Sequence, residues 1–129
     1  MPDTPSTRPL LDKLGVKQGQ RVALIGSFDG DFVEQLRARG ASVSRRAVRD
    51  ADQIYLAANT AADLKKVVAL KKSLRKDGSL WVIRPKGVKT ITESQTMKAG
   101  LDAGLVDVKI ASFNATLTAM KFVFRLKDR

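Results

Sequence analysis

A chain of 129 residues with 43% hydrophobic and 29% charged side chains has the size and composition of one ordinary globular domain. It contains no cysteine and no histidine, which excludes disulfides, thiol nucleophiles and a Ser-His-Asp triad, and leaves no metal site of the usual zinc kinds. The net charge is +11, and residues 37–89 hold 14 basic against 4 acidic side chains, a concentration that suits acidic partners such as nucleic acid or phosphorylated ligands, and equally a solvated basic surface.

Residues 1–8 are rich in Pro, Ser and Thr and read as a flexible leader before a single domain over residues 9–129. With no apolar h-region and no run of 18 apolar residues, neither a signal peptide nor a membrane span is expected, and a cytoplasmic setting is. Leu10 to Leu14 reads as a short helix closed by Gly15. RVALIG, Arg21 to Gly26, is an apolar run ending in glycine, the pattern of a buried parallel strand. DFVEQLRARG follows as a helix; Asp31 and Glu34 have capping-box spacing and Gly40 is the stop. ASVSRR is a short second strand and DQIYLAAN, Asp52 to Asn59, a third.

Thr60 and Asp63 have capping-box spacing and open a long helix to about Lys76. Leu64, Val67, Val68 and Leu74 form its inner face, and Asp77-Gly78 ends it. SLWVIRP is a fourth strand, stopped by Pro85, with Trp81 in the core. Thr90 and Glu93 repeat the capping-box spacing ahead of a helix to about Ala103. Two period-two runs close the chain: Val106, Val108 and Ile110 alternate with Asp107 and Lys109, and Met120, Phe122, Phe124 and Leu126 alternate with Lys121, Val123 and Arg125. Strands of this kind have one more exposed face and pair antiparallel. Alternating strands and helices followed by such a pair predict a three-layer α/β sandwich with a mostly parallel sheet.

VALIGSFDG, SLRKDGSLWVIRPKG, and AGLVDVKI with TAMKFVFR resemble three places in class I S-adenosylmethionine-dependent methyltransferases: the first strand with its Gly-x-Gly-x-Gly loop, the helix–turn–strand segment, and the last helix with its closing hairpin. The resemblance implies a Rossmann-like fold, with one β–α unit missing between Arg46 and Asp52. A second resemblance covers nearly the whole chain. PLLDKLGVKQGQRVALIG, DGSLWVIRPKG, GLVDVK and LTAMKFVFR are similar to a small bacterial family of unknown function, which implies the same fold and a bacterial source and implies no chemistry.

In open α/β sheets ligands bind beyond the carboxyl ends of the strands, where the strand order reverses. The candidate cofactor loop is Gly26, Ser27, Phe28, Asp29 and Gly30. Its outer glycines match the methyltransferase pattern, and Phe28 stands at the middle glycine's place. Asp29 and Asp31 would oppose a pyrophosphate. Arg45 and Arg46, with Arg49 beyond them, stand where the resemblance implies an acid for ribose hydroxyls. Asn59 and Thr60 occupy the place of an Asn-Pro-Pro-aromatic motif without its prolines. Arg84 and Lys86 are candidate anion donors, and Lys65, Lys72 and Lys76 a candidate polyanion face.

Phe28, the arginines and the missing unit together make the expected function non-catalytic. No cofactor is expected, and the protein binds an anionic ligand or an acidic partner such as nucleic acid. No residue is assigned a catalytic role. The alternatives are an active methyltransferase holding S-adenosylmethionine, and a structural subunit or homo-oligomer that uses the closing hairpin as its contact surface.

Overall fold

The computed structural model describes residues 9–129; the expected leader lies outside them. Six strands, β1 (Arg21–Ile25), β2 (Ser42–Ser44), β3 (Ala51–Ala57), β4 (Leu74–Pro85), β5 (Leu105–Ser112) and β6 (Leu117–Phe124), form one sheet in the order β2-β1-β3-β4-β6-β5. The first four run parallel to one another, and β6 runs antiparallel to both β4 and β5. The expected adjacency of β1 and β3 is present, with Val22 opposite Gln53 and Ile25 opposite Leu56. The strand order reverses between these two strands.

Helices α1 (Leu10–Leu14) and α2 (Gly30–Ala38) pack Leu11, Leu14, Phe32, Val33 and Leu36 on one face, against Val22, Leu24, Tyr55, Trp81 and Ile83. A 3-10 turn (Ala61–Lys65) leading into α3 (Lys66–Lys71), together with α4 (Glu93–Asp102), covers the other face, where Leu64, Val67 and Leu70 meet Ile54, Leu56, Leu80, Val82 and Phe122. The sandwich therefore has three layers. β2 ends the sheet on one side, and residues 45–50 alone link it to β3.

Several local expectations are corrected. The long helix to Lys76 does not form. Its helical part stops at Lys71, and Leu74 already belongs to β4, paired with Ala51. The register then shifts, so that Gln53 pairs with Ser79, and the excess residues of β4 loop out. Gly78 makes this bulge fit: a Cβ there would stand 2.8 Å from the carbonyl oxygen of Asp52 and 3.1 Å from that of Ala51. Val68, expected inside, is 54% exposed. The N-cap of α2 is Asp29, whose carboxylate accepts from the Asp31 N–H at 3.1 Å, so the Asp31–Glu34 box is not used. The capping box of α4 is Thr92 with Gln95, two residues later than Thr90 and Glu93. Strand β2 stops at Ser44, short of Arg45 and Arg46.

At the chain's end, Met120, Phe122 and Phe124 point inward as expected, whereas Leu126 has left the strand for a 3-10 turn and is 80% exposed. The alternation expected in β5 breaks at a bulge between Asp107 and Lys109, and Val108 and Ile110 remain about half exposed on the edge strand. Among the described residues no helix is long and apolar enough to cross a membrane.

Candidate functional site

The parallel register of β2, β1, β3 and β4 brings the four candidate segments to one edge of the sheet. At the end of β1, Gly26 has φ 102°, and a Cβ there would stand 3.0 Å from the Cβ and 3.3 Å from the carbonyl oxygen of Ala57. The close approach of β3 therefore already requires this glycine. Ser27 is exposed. The ring of Phe28 lies on Phe32, one turn into α2, with centroids 5.8 Å apart. Asp29 is committed to the cap of α2. Gly30 alone faces open space: a Cβ there would have nothing within 4 Å.

At the end of β3, the Asp63 carboxylate accepts from the backbone N–H groups of Asn59 (2.9 Å) and Thr60 (3.1 Å), as the capping-box spacing predicts. These two donors hold the carboxyl below its ordinary range. The Thr90 hydroxyl donates to the Asn59 carbonyl at 2.9 Å, and the Ala61 N–H donates to the Thr90 carbonyl at 2.8 Å. Asn59 and Thr60 are thus a stitched turn joining β3 to the segment before α4.

At the end of β4, Arg84 is buried to 9% exposure. One of its terminal nitrogens lies 3.7 Å from the Glu93 carboxylate, and its Nε has no partner. Lys86 is not a free anion donor. Its ammonium donates to the Ser112 hydroxyl (3.0 Å) and the Asn114 carbonyl (2.9 Å), pinning the turn between β5 and β6 across the crevice.

That turn carries a residue the sequence reading missed. Phe113 is buried, and its ring stands edge-on to Phe32 at 4.9 Å. Phe32 in turn meets Tyr55 at 5.5 Å, and Tyr55 stacks on Trp81 at 6.4 Å. Burial holds the Tyr55 phenol well above its ordinary pKa, and its hydroxyl donates to Gln53. The available signal was the lone Phe ahead of Asn114-Ala115-Thr116, where the Asn114 side chain accepts from the Thr116 and Leu117 N–H groups to close the turn.

Arg45 and Arg46 are exposed beyond β2. Arg49 curls back beside Arg21, whose guanidinium donates to the Arg49 carbonyl at 3.3 Å. Arg21, Ser42, Ser44, Val48 and Arg49 line a cavity of about 280 Å³ on the α3–α4 side of the sheet, where the short link to β3 leaves no covering helix. Among the described residues none of Arg21, Arg45, Arg46 and Arg49 is ion-paired. The expected polyanion face is divided. Lys65 lies in the 3-10 turn and lines the groove between α3 and α4, whereas Lys72 follows α3 and Lys76 sits on β4 beside Phe124.

Solved structures of similar shape bear on this geometry. A methyltransferase dependent on S-adenosylmethionine from Aquifex aeolicus superposes with a TM-score of 0.70 at 15% identity, covering 88% of this chain and 86% of the other. A ribosomal protein L11 methylase from Lactobacillus delbrueckii subsp. bulgaricus gives 0.67 at 11% identity, covering 90% and 75%. The fold is that of the class I S-adenosylmethionine-dependent methyltransferases. A putative type 11 methyltransferase from Sulfolobus solfataricus covers 95% of this chain and 93% of its own, with a TM-score of 0.64 at 14% identity. No protein-family model and no curated protein matches the sequence.

A nucleoside cofactor at the carboxyl ends of these strands is commonly held by an acid near the end of the second strand. From Ser44 to Arg49 there is no carboxylate for ribose hydroxyls. Asp29, the loop's carboxylate, caps α2 through one oxygen, and Gly26 lies against Ala57.

Proposed function

We propose that this chain uses a methyltransferase fold to bind polyanions through the arginine-rich end of its sheet, without transferring a methyl group. One observation carries the reading. Arg21 and Arg49 line one cavity with Ser42 and Ser44 beside an uncovered strand, the exposed Arg45 and Arg46 follow that strand, and among the described residues none of the four guanidiniums is ion-paired. Arginine forks and hydroxyls are donors for phosphate oxygens, and such contacts carry no base preference. The expected binding is sequence-indifferent, with a dissociation constant of about 10⁻⁴ to 10⁻⁶ M at physiological salt.

Fluorescence anisotropy with a short labelled DNA duplex over a salt series tests this. The affinity should fall with salt by a slope of about 0.9 per phosphate neutralised. The variant Arg45→Glu/Arg46→Glu/Arg49→Glu should bind more weakly and with a shallower slope. The same charge change at Lys17, Lys98 and Lys127 should matter much less. Equal loss in both variants would reduce the effect to net charge and overturn the site.

A second reading, retention of S-adenosylmethionine, draws on the open space before Gly30 and on the Phe28 ring lying on Phe32. Calorimetry decides between them: micromolar S-adenosylmethionine binding that is lost in Gly30→Val would establish the second reading at the expense of the first.

A further inference from the structure

The early end of α3 brings Lys72 and Lys76 together with Lys71. Because α3 stops at Lys71 and the chain turns at once into β4, Lys71, Lys72 and Lys76 line one cavity of about 340 Å³, with Val68, Ala103 and Phe124 among its walls. Two of the three ammonium groups are positioned. Lys71 Nζ donates to the Ala103 carbonyl at 2.7 Å and lies 5.5 Å from the Phe124 ring centroid, and Lys76 Nζ lies 4.6 Å from the same centroid. No carboxylate lines this cavity. Three like charges held around one space repel one another, and a dianion between them relieves that repulsion.

The cavity adjoins, at Val68, a mostly apolar groove rimmed by Lys65, Gln95 and Lys98. Val68, 54% exposed at the surface, also lines a second space of about 310 Å³ between α3 and α4, walled by Ala61, Leu64 and Ala99. The one acid there, Asp102, is paired with Lys98 at 2.8 Å. A free anion would satisfy the lysines and leave the groove exposed to water, and an uncharged amphiphile would do the reverse.

We propose that this composite site binds a soluble single-chain phosphomonoester, its phosphoryl group among Lys71, Lys72 and Lys76 and its hydrocarbon body in the α3–α4 groove past Val68. Lysine binds phosphate as a point charge, and an apolar groove with a few convergent polar groups at one end is the usual form of a small-molecule site. The inference is independent of the arginine cluster, which lies toward β2, across β3 from this cavity.

Calorimetry with n-hexyl phosphate, inorganic phosphate and n-hexanol tests it. Hexyl phosphate should bind one-to-one and about tenfold or more tighter than inorganic phosphate, the gain from burying about two methylenes. Hexanol should show no saturable binding. Lys72→Ala and Lys76→Ala should each weaken hexyl phosphate by about tenfold, the usual worth of a charge-assisted contact. Val68→Ser should remove most of the gain over inorganic phosphate and leave inorganic phosphate binding unchanged. Arg45→Glu/Arg46→Glu/Arg49→Glu should leave hexyl phosphate binding as it is, which separates this site from the polyanion reading. The proposal is overturned if hexyl phosphate binds no tighter than inorganic phosphate, or if neither lysine variant weakens it. Binding to phosphatidic acid vesicles without one-to-one binding of hexyl phosphate would replace the soluble ligand with a membrane surface.

Discussion

On the α1–α2 face, Phe28, Phe32, Phe113, Tyr55 and Trp81 run ring against ring from the crevice to the middle of the sheet. On the α3–α4 face the same strands present Ile54, Leu56, Leu80 and Val82, covered by helices of six and ten residues. Large rings in edge-on and stacked contact fill space at few positions. Short helices over aliphatic side chains leave gaps between them, and lysines stand around those gaps. The glycine loop belongs to the filled side, and the cavities described above open on the other.

Substitutions sharpen or break this comparison. The largest effect is expected on the aromatic side. Trp81→Ala removes a fully buried ring stacked on Tyr55 and should cost about 3–5 kcal/mol in urea unfolding. If it costs under half of that, the aromatic face is not tightly filled. Gly100→Ala probes the aliphatic side at its tightest point, where α4 lies directly on the ring of Phe122. Overpacking there should cost about 1–3 kcal/mol, and a neutral result would mean that α4 lifts easily from the sheet. Thr92→Ala removes the hydroxyl that accepts from the Gln95 N–H and should cost about 1 kcal/mol.

The smallest effect is a pH dependence. Asp63 has its carboxyl held below the ordinary range by the Asn59 and Thr60 N–H groups. Its folded pKa is below its unfolded one, so its contribution is complete above the unfolded value of about 3.9 and is lost as pH falls through the folded value. The stability difference between wild type and Asp63→Ala should therefore be flat from neutral pH to about 5 and shrink below about 4. A difference that grew on acidification would reverse the assigned sign.

Much of the architecture was legible because it rests on local signals. β1 announces itself by an apolar run closed by Gly26, and the turn after β3 by Thr60 and Asp63 at capping spacing. The adjacency of β1 and β3 follows from the alternation of elements. What could not be read depends on contacts distant in sequence. Leu74 to Asp77 has the composition of a helix end, and only the approach of the Asp52 and Ala51 carbonyls to Gly78 makes it a bulged strand. Asp29 and Asp31, like Thr90 and Thr92, offer two caps two residues apart. Spacing favoured Asp31 over Asp29, although Asp29 makes the cap, and did not separate Thr90 from Thr92, whose choice is set by the bond from Thr90 to the Asn59 carbonyl. In the candidate site, the arginines and the loop were visible. Two features were not: the commitment of Lys86 to the hairpin turn, and the grouping of Lys71 with Lys72 and Lys76.

The order of the sheet also sets a schedule for synthesis. β6 follows β5 in the chain, yet it lies between β4 and β5. Until residues 117–124 have left the ribosome, β4 has no neighbour on that side, and Leu80 to Pro85 wait with unpaired backbone groups. A chain that had made both helical layers without β6 would carry an open, apolar edge, the kind of surface that other chains pair with. Completion of this domain requires its last strand to insert between β4 and β5, and a chain ending before residue 117 should expose that edge of β4.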